Sequence, residues 1–563
     1  MRQQYEQGNF SIPMWFVWVI ALGFVLMGLG SFGILDNNEG LYAEIPREML
    51  ASKDWRQWVI PHLNGLPYME KPPLLYWLTA ISFALFGESE WAARVVPALS
   101  SLACVGMLLW FGNVVMRPQV GRLAALMFVS GVGVTAMSHV LMFDMLLTAL
   151  MTVALMQAYR FVCEEDARFL RWSYAFLALA LLAKGLVALV LFGIVAAIFS
   201  LASVRSFRDV GLAISRWFDL KALLIFFIVA APWHIAASLV EPIFAWFYFV
   251  NEHVLRFLGK REPHDYYAGA WWYYLPRMAI YLFPWSFLLP CLMRSSDPSK
   301  NQHSHTLRHF LWVAWLVPLL FFSISSAKAN YYLVAVMPFA AFHLALAIEN
   351  RHFLRGVLSL VPGLIIAALA ASACLVMALK TNSPVQSTDV LIIWGLEQAQ
   401  FLLVAVGGIV ILSIASAIAA WRLPRVGMLA YLVLPVWISL VLMSVLQVLE
   451  PRISTKHTAA FLQTELASRE VYLYRNFEEQ SSLPFYLKKP LAVIDPRSND
   501  LFWGNKLRQN DMMLSTEQFA QRLNRQRLAI VVMDKQLKDF RASGFFDAFK
   551  GEKRIGASTV FFN

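Results

Sequence analysis

Between its first two long apolar runs the chain carries Asp36, Glu39, Glu44, Arg47, Glu48, Asp54, Glu70 and Lys71. Ionisable groups kept beside lipid are costly, and where they persist they usually line a polar cavity in which something is bound or changed. Further cations interrupt apolar surroundings downstream: Lys184 in Ala183-Lys184-Gly185, Arg256 in Leu255-Arg256-Phe257, and Lys328 in Ala327-Lys328-Ala329. Asp144, in Phe143-Asp144-Met145, opens another apolar run, and His253 and His264 flank the Arg256 stretch. Such a set offers carboxylates that hold or activate an acceptor. It also offers cations that meet negative charge developing on an anionic leaving group.

Each residue has a blander reading. Lys184 and Lys328 are placed as lysines that snorkel from a helix end would be. Asp144 is placed as a helix-capping aspartate would be. Either histidine, joining Glu70 or Asp144, offers ligands for a divalent metal, but the spacing is too long to be diagnostic, and an interfacial structural role competes. Cys104, Cys163, Cys291 and Cys374 are isolated, with no paired spacing for zinc or a disulfide framework, and read as free structural thiols.

The elements that position these groups must be membrane helices. Of 563 residues, 59% are hydrophobic and 15% charged, and the mean hydropathy is +0.57, more apolar surface than a soluble protein of this size hides. Twenty Trp and 42 Phe suit lipid-facing helices and interfacial belts. The apolar run 12–35 reads as an uncleaved first helix rather than a signal peptide. With further runs near 92–116, 121–138, 144–161, 172–187, 187–204, 221–240, 273–293, 308–325, 330–348, 355–378, 399–421 and 426–449, about 13 spans are expected by the ~20-residue criterion. The segment 74–86 is too short to span and is expected as a juxtamembrane helix.

With the N-terminus inside, the inner loops collect the basic residues, from Arg117 and Arg122 through Arg205, Arg294, Arg351 and Arg355 to Arg422 and Arg425, as the positive-inside rule requires. The charged first loop, Asp144, Lys184, the 241–272 loop, Lys328 and the C-terminal tail then share the outer face. The net charge of +11 is thereby explained by loops, and nucleic acid is not expected as a partner. Hydropathy drops near Glu450, so residues 1–450 are read as the membrane domain and 451–563 as a small soluble α/β domain outside. Strands are expected at 471–475, 491–495, 528–534 and 558–563, and helices near 455–468, 516–526 and 535–548.

The string Tyr42-Ala43-Glu44-Ile45-Pro46-Arg47-Glu48-Met49, then Pro61-His62-Leu63-Asn64-Gly65 and Glu70-Lys71-Pro72-Pro73, resembles the first external loop of the polyprenyl-phosphate-sugar-dependent membrane glycosyltransferases. Within that family it is most similar to the aminoarabinose transferases that decorate lipid A. Phe143-Asp144-Met145, Ala183-Lys184-Gly185, Trp271-Trp272-Tyr273-Tyr274 and the stretch Lys328 to Tyr332 echo the same family. The resemblance implies an all-α polytopic membrane domain of the GT-C type, with juxtamembrane helices in the first external loop and a C-terminal soluble domain. It implies transfer of 4-amino-4-deoxy-L-arabinose from undecaprenyl phosphate to lipid A, on the periplasmic side of a bacterial inner membrane and in a monomer. It also leaves room for a divalent metal. On this reading Glu39, Asp144 and Asp36 are the candidate catalytic carboxylates. Lys71, Lys184, Arg256, Lys328 and Tyr332 would meet the donor phosphate; Asn38, Tyr42, Glu44 and Arg47 would position the acceptor or the loop. Glu70, His253 and His264 would be the metal ligands.

The chain departs from the family pattern Asp-Glu-x-Arg-Tyr, because Asn38-Glu39-Gly40-Leu41-Tyr42 lacks both the Asp and the Arg. Asparagine is no general base, but a lipid A phosphate is already an anionic nucleophile and needs little deprotonation. Rival readings are transfer of another lipid-linked sugar to protein or oligosaccharide, a lipid transporter or flippase, and an inactive lipid-binding scaffold. Transporters commonly show paired repeats and broken midplane helices; here no repeat is visible and the polar groups gather at one face.

Overall fold

The structure is a computed structural model, described over residues 11–202, 207–264, 269–293, 302–349, 399–422, 431–508, 511–523 and 526–563. Its first half runs α1 (Met14–Leu26), α2 (Asn38–Ala51), the hairpin β1 (His62–Leu63) and β2 (Leu66–Pro67), α3 (Leu74–Phe86), α4 (Glu90–Val114), α5 (Pro118–Ser130), α6 (Val132–Ser138), α7 (Phe143–Glu164), α8 (Ala167–Lys184) and α9 (Val187–Leu201).

Among the described residues, six helices are long and apolar enough to cross a membrane: Glu90–Val114, Phe143–Glu164, Leu220–Val240, His305–Ile324, Asn330–Glu349 and Val433–Ile453. The number rises to eight if the bent pairs Pro118–Ser130 with Val132–Ser138 (68°) and Tyr274–Tyr281 with Trp285–Leu292 (110°) each count as one span. The expectation of about 13 spans is therefore overturned. An apolar run does not reveal whether its helix is long and straight, and several here are not. The run 12–35 yields only the 13-residue α1, and 187–204 yields the 15-residue α9. α8 carries Arg168, Arg171 and Lys184, too much charge for a simple span. The expected span at 355–378, with Arg351, Arg355 and Cys374, lies outside the described residues, as do Arg205, Arg294 and Arg425. The 13-residue α3 has the length and place expected of it.

Two local features shape the site. The first loop is itself helical: α2 buries every residue from Glu39 to Met49, and α3 follows on the Pro72-Pro73 pair. The turn between α8 and α9 pivots on Gly185 at φ +90°, where a Cβ would come within 2.4 Å of His253 Nε2. Only glycine fits both the backbone angle and that approach.

Beyond Glu450 a six-stranded sheet forms from β3 (Glu470–Tyr474), β4 (Ala492–Ile494), β5 (Met513–Leu514), β6 (Leu528–Met533), β7 (Gly551–Ile555) and β8 (Ser558–Phe562), in the order β5-β4-β3-β6-β8-β7. β3 pairs in parallel with both β4 and β6, while β8 is antiparallel to β6 and β7. β6, Leu-Ala-Ile-Val-Val-Met, is central to the sheet and buried almost throughout. β5 and β7 were not legible in sequence: β5 has two residues, and β7 is an exposed Glu-Lys-Arg edge.

This α/β region packs directly on the first loop. Asp36 N–H donates to Ile453 O and Asn37 N–H to Glu478 O. Asn64 exchanges both of its side-chain bonds with the Leu491 backbone, at 2.7 and 2.8 Å. Tyr486 donates through its hydroxyl to Glu90 at 3.2 Å and accepts from Ile34 N–H at 2.7 Å.

Candidate functional site

A cavity of about 970 Å³ lies where the first loop, the N-terminus of α7, the α8–α9 turn, the 252–261 segment and the α/β loops meet. One wall is polar. Lys71, held by the rigid prolines after it, stands 3.8 Å from Glu70 and 3.7 Å from Glu252. Arg261 reaches both carboxylates at 2.5 Å, and Arg256 reaches Glu252 at 3.0 Å. Burial raises the Glu70 pKa despite Arg261 beside it. For Glu252, burial also opposes ionisation, but Arg261, Lys71 and Arg256 together outweigh it and leave the carboxyl below its ordinary range. Glu252 and His253 sit on a π-helical segment, Trp246–Leu255, of the kind that recurs at functional sites.

Across from this wall, Asp144 at the start of α7 pairs directly with Lys184 at the end of α8. The Lys184 ammonium also lies 4.6 Å from the centre of the Tyr332 ring and 5.3 Å from that of Tyr331. Leu186, Val187, Val190, Phe257, Leu258, Phe321 and Phe322 make the remaining surface apolar. The cavity therefore joins a charged end, in which Lys71, Lys184, Arg256 and Arg261 stand among carboxyls, to an apolar groove.

Of the candidates named from sequence, Asn38, Tyr42, Glu70, Lys71, Asp144, Lys184, His253, Arg256 and Tyr332 line this cavity. The others lie elsewhere. Glu39 is 1% exposed and wholly committed. Its carboxylate accepts from Arg94 Nε and Nη2 at 2.8 and 2.9 Å, and from the backbone N–H groups of Leu35 and Leu141 at 2.8 and 2.9 Å. It is a structural anchor rather than a catalytic group. Asp36 accepts from the Ser482 N–H at 3.0 Å and hydroxyl at 2.7 Å, which fastens the first loop to the α/β region; its burial raises the carboxyl pKa to about 8. Glu44 and Arg47 pair with each other on α2, at 2.6 and 2.7 Å, away from the cavity. Lys328 donates to the carbonyls of Ser323 and Ser325, both at 2.7 Å, and so closes the C-terminus of the helix Gln302–Ile324. It does not reach the cavity.

The three nominated metal ligands do not converge. His253 Nε2 accepts from Leu186 N–H at 3.0 Å, so its Nδ1 is the nitrogen that donates, to Tyr248 O at 2.6 Å. Both ring nitrogens are used, and burial lowers the ring pKa. Glu70 is held by Arg261, and His264 is exposed. Among the described residues no three His, Cys, Asp or Glu side chains could together hold a metal ion.

Sequence reasoning missed Glu252, Arg261, Asn476, Glu478, Glu479, Asn499 and Asp500, all of which line the cavity. Arg261 and Glu252 had a faint signal, as charges in the 241–272 loop. The others lie in an α/β region whose sequence holds no recognisable chemical motif. Asp500 receives the Tyr68 hydroxyl at 3.3 Å, and burial beside Glu70 and Glu478 raises its pKa well above the carboxylate range.

A model of the dolichyl-phosphate-mannose-protein mannosyltransferase family matches residues 70–235. An undecaprenyl phosphate-alpha-4-amino-4-deoxy-L-arabinose arabinosyl transferase of Shewanella sediminis is 33% identical over 346 residues, covering 59% of this chain and 60% of the relative. A second enzyme of that description, from Pseudomonas fluorescens, is 27% identical over 511 residues, covering 85% of this chain and 84% of the relative. The chain spans about 60% of the length of the first curated relatives it matches. Among solved structures, ArnT from Cupriavidus metallidurans bound to undecaprenyl phosphate aligns with a TM-score of 0.80 at 23% identity, covering 97% of each chain. The Archaeoglobus fulgidus oligosaccharyltransferase aligns with a TM-score of 0.50 at 12% identity, over 95% of this chain and 71% of that one. These structural likenesses are likenesses of fold.

Proposed function

We propose that this relative of the membrane aminoarabinose transferases is itself a GT-C-type glycosyltransferase that uses a polyprenyl-phosphate sugar. The observation that carries the reading is Lys71. Its ammonium lies in the cavity wall with its carboxylate neighbours at 3.7 and 3.8 Å, beyond direct hydrogen-bond distance. Its two ion pairs are long ones, so an anion entering the cavity would find ammonium N–H groups there to bond. The apolar groove beside it suits an isoprenoid tail.

The donor phosphate would lie against Lys71, with Arg256 and Arg261 behind it. As the bond from the sugar's anomeric carbon to the phosphate oxygen breaks, its electron pair leaves on the phosphate, and these cations stabilise the growing charge. An acceptor phosphate oxygen forms the new bond on the other side. That oxygen is anionic before it attacks, so no base is needed in the place that Asn38 occupies. Asp144, tied to Lys184, would help to orient the sugar. The sugar read from the resemblance is 4-amino-4-deoxy-L-arabinose, and the acceptor is lipid A or a related glycolipid. The cavity would face the periplasm from the inner membrane, with residues 1–450 as the membrane domain and 451–563 outside it.

The test is direct. Purified protein in a lipid nanodisc, given undecaprenyl phosphate-linked aminoarabinose and lipid A, should yield the modified lipid A and free undecaprenyl phosphate by mass spectrometry. Absence of product with this donor, but turnover with another lipid-linked sugar, would keep the reaction class and change the sugar. A protein that moves the donor across a bilayer without transfer would replace the reading by transport.

A further inference from the structure

The α/β region meets the cavity by one particular edge. In the sheet order β5-β4-β3-β6-β8-β7, the chain leaves β3 for β4 and β5 on one side, then crosses to β6 on the other. The cavity lies at the carboxyl ends of β3 and β4, the edge at which open α/β sheets bind ligands. The loop that follows β3 carries Asn476 and Glu478, and the loop that follows β4 carries Asn499 and Asp500; all of these line the membrane cavity.

These loops are held from behind. Glu478 accepts from the Ser498 hydroxyl at 2.6 Å and from Asp500 N–H at 3.0 Å, which joins the two loops to each other. Asn499 donates to His264 O at 3.1 Å. Below them, the Tyr76 hydroxyl on α3 is fully buried with no hydrogen-bond partner among the described residues. Its ring packs on Tyr42 and Phe143, both in the cavity wall, and its hydroxyl lies within electrostatic range of Glu70 and Asp500. Amides and carboxyls in the same lining as Lys71 match a sugar whose hydroxyls or amine would bond beside its phosphate.

We propose that the loops after β3 and β4, through Asn476, Glu478, Asn499 and Asp500, form the wall that reads the donor's sugar, while Lys71 reads its phosphate. This rests on the donor reading above and adds to it that sugar specificity resides in the α/β region. A site built to hydrogen-bond a polar group strongly rejects a ligand that lacks it.

The experiment measures, on the full-length protein in nanodiscs, binding of bare undecaprenyl phosphate and of undecaprenyl phosphate-linked aminoarabinose. Asn476→Ser and Asp500→Asn should weaken the sugar-bearing ligand about tenfold and leave the bare lipid phosphate within about twofold. Lys71→Met should weaken both. Equal loss of both ligands in the two wall variants would mean that the wall only holds the cavity's shape, and would overturn the proposal. So would unchanged binding of both. Bare lipid phosphate that still binds Lys71→Met at full strength would instead overturn the donor reading on which the proposal rests. Thermal unfolding of each variant separates a lost contact from a lost fold.

Discussion

Two basic residues near the first loop face carboxylates, and they do so in opposite ways. Arg94 is completely buried, and all five of its N–H groups are used: three on Glu39 and the Phe32 and Gly33 region, the rest on Leu29 and the second Glu39 oxygen, at 2.8 to 3.1 Å. Its guanidinium also lies 3.8 Å from the centre of the Phe32 ring. Lys71 has two carboxylates nearby but bonds directly only to the Glu70 carbonyl, at 3.3 Å. The first arrangement uses every N–H, and the second meets its carboxylates only at ion-pair distance. In a chain with so few charged groups, saturation marks the pair that builds the fold, and the looser pairing of Lys71 is what the proposed donor site rests on.

The largest effect should come from breaking the saturated pair. Arg94→Met leaves the Glu39 carboxylate buried without its partner, and should cost about 3–5 kcal/mol of stability, read as a large fall in thermal unfolding temperature or loss of folded protein. A variant as stable as the wild type would remove the distinction. Next, Lys71→Met should unfold like the wild type but lose at least about tenfold in turnover, since a charged contact is worth about 1.5–3 kcal/mol. Lys328→Met sharpens the point: loss of a helix-terminal charge should cost about 0.3–1 kcal/mol of stability and leave turnover within about twofold. Equal turnover losses in the two lysine variants would return Lys328 to the site.

A further comparison concerns pH. Asp36 holds its proton far more tightly in the folded protein, at about 8, than the ordinary 3.8. Its contribution to stability is therefore complete below about pH 4 and is lost as pH rises through about 8. Asp36→Asn keeps an acceptor for Ser482 and cannot ionise, so its unfolding temperature should vary less over that window. An unchanged slope would show that Asp36 does not titrate in its seat on Ser482.

How much of this was legible depends on whether a feature is local. Lys71, Lys184 and Asp144 were visible because a charge beside an apolar run is costly wherever the chain later goes. β6 was visible because a run of Leu, Ile and Val reads as a buried strand. Glu39 misled because its sequence neighbours resemble a catalytic loop, while its partner Arg94 stands 55 residues away. Lys328 misled because a lysine between two apolar runs reads alike whether it faces a ligand or three carbonyls of its own helix end. The span count failed for a related reason: hydropathy records how apolar a run is, not whether it bends, as the run 273–293 does by 110°.

By itself the sequence determined the class of molecule, because composition and periodicity act through burial and backbone hydrogen bonding, which each segment must satisfy on its own. It showed cations and carboxylates standing beside apolar runs, and it supplied the likeness to enzymes that use a lipid-phosphate donor. Only the tertiary structure decided which of them meet. It put Glu252 and Arg261 behind Lys71, sealed Glu39 against Arg94, turned Lys328 onto its own helix, and brought the carboxyl edge of a distant sheet over the cavity. Coulomb and hydrogen-bond energies fall off within a few ångströms, so a residue's role is fixed by its neighbours in space, and those neighbours here come from segments hundreds of residues apart.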